Sequence, residues 1–438
     1  MVKVVKFGGS SLANASQFIK VKSIITSDDA RRFCVPSAPG KRFSDDIKVT
    51  DMLYGCYSLA KDEKDFSKEL NAIKDRYNEI ISGLGLNTCL DEEFIKISEN
   101  FKAKAGDDYA ASRGEYLNGI IMADYLGYTF VDAADYIFFD DDGNFMSEET
   151  HEALSAHLAK LECAVVPGFY GSYKSTGKVK TFSRGGSDIT GSIVARAINA
   201  DIYENWTDVS GVLIADPRLV TDPRPIEAIT YRELRELSYM GASVLHEDAI
   251  FPVRKAGIPI NIKNTNAPED PGTLIVESTC KTSKYIITGI AGKKGFCSVN
   301  IEKDMMNSEI GFCRRVLTAF EDNGISIEHM PSGIDTLTVF VHQDEFEQKE
   351  QMVINEITKL THPDRIDLES NLALIAVVGR GMKSMRGTAG KIFSALTNHN
   401  INIRMIDQGS SELNIIIGVA DEDFELAIKA IYDTFVKE

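Results

Sequence analysis

From residue 2 to about residue 265, strand-like and helix-like segments alternate, a pattern that points to a largely parallel sheet with helical crossovers. Residues 2–7 (VKVVKF) read as a strand, Gly8-Gly9-Ser10-Ser11 as a tight loop, and 12–26 as a helix with Leu12, Phe18, Val21 and Ile25 on one side. Residues 107–126 form a second helical stretch, and 163–170 (CAVVPGFY) a short buried strand ending in Pro and Gly. Ser183-Arg184-Gly185-Gly186-Ser187-Asp188 then precedes a helix in which Ile189, Ile193, Ala197 and Ile198 recur at helical spacing. Ser187 or Asp188 is the natural cap of that helix.

The texture changes after Pro268-Glu269-Asp270-Pro271-Gly272, a turn-rich junction. Beyond it a weak internal repeat pairs Gly311 with Gly387, Ala319 with Ala395, Ile325 with Ile401, Ile327 with Ile403 and Gly333 with Gly409. Each copy reads strand, helix, strand (325–330, then 336–341; 401–406, then 413–419) followed by a second helix, a ββαβ-like sandwich tendency with a βαββαβ pattern per unit.

A chain of 438 residues is long enough for two to four domains, and 43% hydrophobic with 26% charged residues is an ordinary globular composition. With 48 Lys+Arg against 65 Asp+Glu the net charge is −17, which disfavours nucleic acid and anionic membranes as partners. The seven cysteines are scattered and never spaced Cys-x-x-Cys, which fits a reducing cytoplasm rather than a disulfide framework or a zinc site. No signal peptide is visible at the N-terminus, and the longest apolar runs, such as 372–378, fall far short of the ~20 residues of a membrane span.

Glycines 8 and 9 after a strand let backbone amides approach an anion at a helix start, with Lys6 in reach, although such a pair is also an ordinary turn. Neither GxxxxGK[ST] nor GxGxxG is present. The second glycine loop sets Arg184, two bare amides, Ser187 and Asp188 at one helix mouth; Arg suits a carboxylate or phosphate. Asp188 suits a magnesium ion, a lysine or a proton, or it merely caps the helix. Trp206-Thr207-Asp208-Val209-Ser210-Gly211 and Asp216-Pro217-Arg218 look like a strand end and a turn. His246 reads as a satisfied polar residue, and GxSxG, HExxH and HxH are absent.

Taken in order, KFGGSSL (6–12), PSAPGK (36–41), VTDML (49–53), SRGEYL (112–117), SRGGSDITG (183–191), NWTDVSGV (205–212), ADPR (215–218), GASVLH (241–246) and NIKNTNAP (261–268) resemble the aspartate kinase family over nearly the whole chain. The C-terminal repeats resemble that family's paired ACT domains. The resemblance implies an amino-acid-kinase fold, a three-layer αβα sandwich with a mainly parallel sheet, over 1–270. A linker (271–285) and two α+β ferredoxin-like ACT domains (286–360 and 361–438) follow. It implies transfer of the γ-phosphoryl group of ATP, with Mg2+, to the β-carboxylate of L-aspartate, the first step of lysine, threonine and methionine synthesis. Lys6 would neutralise the transferring group and Asp188 would orient Lys6 or the metal, with no dedicated metal cluster in the protein. Glu115 would take the α-ammonium and Arg184 the α-carboxylate of aspartate, with Ser37, Thr50 and Ser187 bonding the rest. Gly8, Gly9, Ser10, Thr207, Asp208, Asp216 and Arg218 would hold ATP.

By the same resemblance Ser308, Gly311, Phe312, Ile327 and Glu328 would bind an inhibitory amino acid, lysine first and threonine second. Homodimers or dimers of dimers through the ACT domains are expected, with neither nucleic acid nor membrane as partner. Leu213, Ser243 and Ser183 depart from the tyrosine, lysine and glycine that many relatives carry. With the chain ending at Glu438, the expectation is a monofunctional cytoplasmic enzyme. The competing readings are a catalytically inactive amino-acid sensor and another carboxylate kinase of the same fold.

Overall fold

The structure, a computed structural model, describes residues 1–183, 185–242, 245, 247–279 and 285–437, with 247 and 248 described by backbone alone. Two compact units emerge, and they do not follow sequence order. The first holds Met1–Val212, Pro225–Tyr231 and Val244–Cys280; the second holds Leu213–Arg224, Arg232–Ser243 and Lys281–Glu438. The span expected as one catalytic domain, 1–270, thus lends two short segments to the C-terminal unit.

The first unit begins with β1 (Lys3–Phe7), α1 (Ala15–Thr26), β2 (Arg31–Pro36) and four helices, α2 (Val49–Lys61), α3 (Ser67–Gly83), α4 (Asp91–Lys102) and α5 (Asp107–Leu126). Then come β3 (Thr129–Phe130), β4 (Phe138–Phe139), α6 (Ser147–Leu158), β5 (Ala164–Val165), β6 (Tyr170–Tyr173), β7 (Val179–Thr181), α7 (Gly186–Ala197) and β8 (Ile202–Thr207). The series closes with β9 (Ala228–Thr230), α8 (Tyr231–Tyr239), α9 (Glu247–Ala256), β10 (Ile260–Asn264) and β11 (Thr273–Val276), α8 passing into the second unit after Tyr231. Eight strands form one sheet in the order β3-β5-β2-β1-β8-β10-β11-β9, parallel except for β10 against β11.

Alternation along β1 assigns its two faces. Val5 and Phe7 enter the core formed with α1 to α5, where Phe7 stacks on Trp206 at 6.0 Å between centroids. Val4 and Lys6 face the other way, toward α7, on the side where Tyr203 packs so tightly on Gly191 that a Cβ there would lie 2.4 Å from its hydroxyl. Helices therefore cover both faces, giving the three layers.

Two local details differ from the sequence-based expectation. Gly9–Leu12 form a 3-10 turn, so α1 starts at Ala15 with the Asn14 side chain accepting from the Gln17 N–H. The cap of α7 is Gly185 rather than Ser187 or Asp188, because the chain enters with φ 59°, a conformation glycine adopts without penalty; both other residues sit in the first turn.

The second unit contains β12 (Gly289–Glu302), α10 (Phe312–Asp322), β13 (Ile327–His329), β14 (Thr336–His342), α11 (Gln343–Glu347), α12 (Glu350–Thr361), β15 (Arg365–Val378), α13 (Thr388–Asn398), β16 (Met405–Asp407), β17 (Asn414–Ala420) and α14 (Phe424–Tyr432). Its antiparallel sheet runs β13-β14-β12-β15-β17-β16. The repeat is plain in three dimensions. Gly311 and Gly387 cap α10 and α13 with φ of 82° and 84°, and Ala319 and Ala395, like Ile325 and Ile401, are buried.

The two copies are interleaved. Phe296–Glu302 of β12 pair with β14, whereas Gly289–Lys293 pair with Leu374–Val378 of β15, whose other edge holds β17. The register shifts between Lys293 and Ser298 mark the crossing from one copy to the other. A cut at residue 360 would sever the first copy from its fourth strand, Arg365–Leu372. The sheet also curls until its outer strands meet, His329 Nδ1 standing 2.9 Å from Asp407 Oδ2. A cavity of about 660 Å³ opens on this face, lined among others by Ser298, Thr338, Asp367, Glu369 and Arg404.

Helix α8 is anchored within this unit by a fully buried carboxylate. Glu233 accepts from Thr288 Oγ1 at 2.6 Å, from the Arg380 N–H at 3.0 Å and from Arg380 Nη1 at 2.8 Å. Removing the cationic partner of a buried carboxylate costs about 3 kcal/mol or more. Arg380→Ala is therefore expected to lower unfolding stability by that order in chemical denaturation, and a change under about 0.5 kcal/mol, the scale of a surface pair, would show that Glu233 is satisfied without the guanidinium.

Candidate active site

Carboxyl ends of parallel strands are where open α/β sheets gather ligands, and here β1, β2, β8 and β10 deliver Lys6, Ser37, Thr207 and Thr265 to one edge. Lys6 is buried, and its charge is met by Asp188 in the first turn of α7, Nζ to Oδ1 2.6 Å. Asn205, opposite Lys6 on β8, donates Nδ2 to the same Oδ1 at 2.8 Å. Asp188 therefore orients Lys6 directly.

The glycine turn is shaped by close main-chain packing. The Gly8 N–H donates to Trp206 O at 3.0 Å, and a Cβ at Gly9 would lie 2.9 Å from Ala38 O. Ser10 is exposed beside it, and Ser11 Oγ bonds Thr265 Oγ1 at 2.8 Å. With Gly185 and Gly186 opening the twelve-residue α7, two sets of bare amides and a helix N-terminus flank Lys6, an arrangement suited to phosphate oxygens.

On the other side stands Glu115 of α5, deeply buried. Burial pushes its carboxyl from 4.5 up to about 8, with the Ala38 N–H it accepts and the nearby Lys6 charge pulling the other way. Its Oε2 is buried without a partner. One turn along, Asn118 is fully buried and donates Nδ2 to Ser37 O at 2.7 Å, fixing the residue that follows β2. Ser187 packs so closely on Gly168 that a Cβ there would lie 2.6 Å from its hydroxyl, and Thr50 occupies the first turn of α2.

Lys6, Gly8, Gly9, Ser10, Ser37, Glu115, Ser187 and Asp188 thus gather in the first unit, and Thr207 and the exposed Asp208 extend the same edge. Asp216 and Arg218 belong to the second unit, where they pair with each other at 2.5 Å. Arg184, Ser243 and His246 lie outside the described residues. Sequence reasoning missed Asn205 and Asn118. The i,i+3 spacing of Asn118 from Glu115 was the available signal, as was the alternation along β8 that turns Asn205 toward Lys6. Among the described residues no group of three His, Cys, Asp or Glu side chains is arranged to hold a metal ion, and no helix is long and apolar enough to cross a membrane.

In the second unit Gly311 and Phe312 line a cavity of about 290 Å³ at the start of α10, together with Asn307, Glu309, Ser332 and Gly333. Ser308 closes the preceding 3-10 turn. Ile327 and Glu328 do not line it: Ile327 pairs with Val341, and the Glu328 carboxylate accepts from Tyr239 OH at 2.6 Å with His342 Nε2 at 3.4 Å. Glu309, held below the usual carboxylate range by its bond to Lys303, is the acid that the cavity does present.

The amino acid kinase family matches residues 1–264 and an ACT domain matches residues 375–435. Aspartokinase 3 of Bacillus subtilis is 40% identical over 99% of this chain and 98% of its own. The chloroplastic aspartokinase 3 of Arabidopsis thaliana is 30% identical over 99% of this chain and 81% of its own. The crystal structure of the aspartate kinase of Clostridium acetobutylicum, described as an allosteric enzyme, superposes with a TM-score of 0.92 at 53% identity, covering 99% and 100% of the two chains.

The protonation of Glu115 has a measurable consequence. Its folded-state value lies above its unfolded one, so the folded chain keeps a proton that the unfolded chain loses between about pH 4.5 and about pH 8. Stability should fall as pH rises through that window, and Glu115→Gln should flatten the fall in urea melts at pH 5 and pH 8. Equal losses in the two proteins would mean that Glu115 is ionised throughout.

Proposed function

The chain belongs to the aspartokinases of the amino acid kinase family, enzymes that phosphorylate aspartate with ATP, and on that premise we propose how its own residues carry the reaction. The observation that supports the reading best is Lys6, buried and paired with Asp188, which Asn205 in turn holds, between bare glycine amides on one side and Glu115 with its unpartnered Oε2 on the other. A β-carboxylate oxygen of aspartate attacks the γ-phosphorus of ATP, an O–P bond forms, the bond to the ADP oxygen breaks, and ADP leaves. No proton has to move, because the acceptor carboxylate is already ionised at neutral pH.

In this reading Lys6 meets the charge that spreads over the transferring oxygens, and Asp188 and Asn205 hold its Nζ in place, so that little reorganisation accompanies the step. The amides of Gly8, Gly9 and Ser10 cradle phosphates, with Thr207 and Asp208 as nucleotide contacts. Glu115 takes the α-ammonium of aspartate, Arg184 the α-carboxylate, and Ser37, Thr50 and Ser187 the remaining polar groups. Mg2+ characteristically binds through one or two carboxylates plus substrate phosphates, so a resident cluster is unnecessary, and Asp188 and Asp208 are acids suited to it. It supplies positive charge to the phosphates.

Regulation by an amino acid, lysine first, is assigned to the cavity at Gly311 and Phe312, with Ser308 in the turn before it and Glu309 as its acid, while Ile327 and Glu328 stand outside it. Glu328 is engaged by Tyr239, so an effector ammonium would have to compete with that hydroxyl. A cytoplasmic homodimer or dimer of dimers completes the proposal.

Lys6→Ala and Asp188→Ala should each lower kcat for aspartate-dependent ADP release by about a hundredfold or more, the scale of a lost charge-stabilising group. Near-normal turnover in either variant would remove that residue from the mechanism. Ammonium binding should also expel the Glu115 proton: at pH 7 the calorimetric heat of aspartate binding should depend on the ionisation enthalpy of the buffer, and Glu115→Gln should abolish that dependence. Lysine should suppress ADP release and raise Tm; an effector panel in which lysine does neither would reassign the ligand.

A further inference from the structure

The loop from Ser37 to Lys48 joins β2 to α2 and touches the glycine turn backbone to backbone. The Gly40 N–H donates to Gly9 O at 2.8 Å, and a Cβ on Gly40 would lie 2.5 Å from the Gly9 carbonyl carbon and 2.7 Å from Ser10 N. Wherever Gly40 goes, Gly9 and Ser10 must follow. The loop is otherwise exposed from Lys41 to Ser44, with Phe43 standing open to solvent, so its own packing does little to hold it.

Asn118 fixes its start at Ser37, and the backbone of the arc from Gly40 to Ile47 is held by a buried side chain of α3. Arg76 of α3 is 4% exposed, and its guanidinium donates through Nη2 to Gly40 O and through Nη1 to Ile47 O at 2.6 Å. Nη2 also stands 3.3 Å from Asp46 Oδ2, and the neighbouring Arg42 bonds that same carboxylate at 2.9 Å. One fork therefore clamps both ends of the arc from residue 40 to residue 47. Burial pulls the Arg76 pKa below its ordinary value, and its Nε is buried without a partner. An apolar side chain of similar volume could fill this space without either cost. The guanidinium adds donors aimed at two carbonyls, which is a way of fixing backbone rather than core. The adjacent Tyr77 donates to Gly114 O at 2.7 Å, so consecutive residues of α3 brace the loop and the turn of α5 just before Glu115.

We propose that Arg76 is a positioning residue of the phosphoryl-transfer site: it fixes Gly40, and through the Gly40–Gly9 contact the phosphate-facing turn, while the same loop carries Ser37 toward aspartate. This rests on the assignment of Gly9 and Ser37 to the site made above.

The test is steady-state ADP release by wild type, Arg76→Met and Arg76→Lys, with aspartate and MgATP varied separately, well below the melting temperature. A misplaced positioning group costs on the order of ten- to a hundredfold, so Arg76→Met should keep a native circular dichroism spectrum while the KM for aspartate rises about tenfold or more. Arg76→Lys, able to reach one carbonyl, should fall between. Guanidinium ion at a non-denaturing concentration should restore part of the loss in Arg76→Met, and urea at the same concentration should not. A merely structural role would leave both KM values unchanged and reduce turnover only with the folded fraction; that result overturns the proposal. If Arg76→Met does not fold, the lysine variant decides, since unchanged KM values there are equally fatal. Ser37→Ala and Lys6→Ala run alongside: if these too are silent the site assignment itself fails, and if they are impaired while the Arg76 variants are normal only the present inference fails.

Discussion

A lysine ammonium cannot be taken out of water cheaply, and the first unit is organised around the burial of one. Lys6 sits in the central strand, flanked by parallel partners on both sides, so its position is set by two ladders at once. Its counter-charge comes from Asp188, which is near only because Gly185 turns the chain at positive φ and aims the first turn of α7 at the strand ends. Asn205 reaches the same carboxylate because β8 is in register with β1, residue against residue. Shift that register by one and Asn205 would face the opposite core. Sheet pairing, helix entry and ion pair are therefore one arrangement seen at three scales.

Glu115 presents the complementary case. Its carboxyl is buried with only part of its hydrogen-bonding capacity used, and the cost appears as a proton held near neutral pH. Near Lys6 the protein thus keeps one satisfied charge and one unsatisfied acceptor. The contrast separates a group fixed by its partners from one left with hydrogen-bonding capacity unused.

Much of this was legible before any coordinates. The glycine turn after β1, the helical stretch of α5, and the C-terminal repeat were all readable from the chain itself, and paired glycines such as 311 and 387 carry the same backbone demand in both copies. Features that depend on distant partners were not legible. Ser187 and Asp188 look like caps because their side chains suit that role, but the cap is set by a backbone angle that glycine alone adopts freely. Asn118 and Asn205 carry only a weak local signal, the i,i+3 spacing from Glu115 and the alternation along β8, and Arg76 inside α3 carries none that distinguishes it from a surface position. Glu328 has the chemistry of an ammonium ligand, yet Tyr239, 89 residues earlier, occupies it. The membership of 213–224 and 232–243 in the C-terminal unit has no local signature either.

The interleaving of β12 and β15 bears on how this region could have arisen and how it could be engineered. Each strand runs fourteen residues and serves one copy with its first half and the other copy with its second. A duplication of a complete βαββαβ gene segment, laid end to end, would not give this arrangement without an exchange of the outer strands. For the same reason neither copy is a removable cassette. Every single cut between residues 294 and 420 leaves at least one half-strand facing an empty edge, so grafting this sheet onto another protein means moving both copies together.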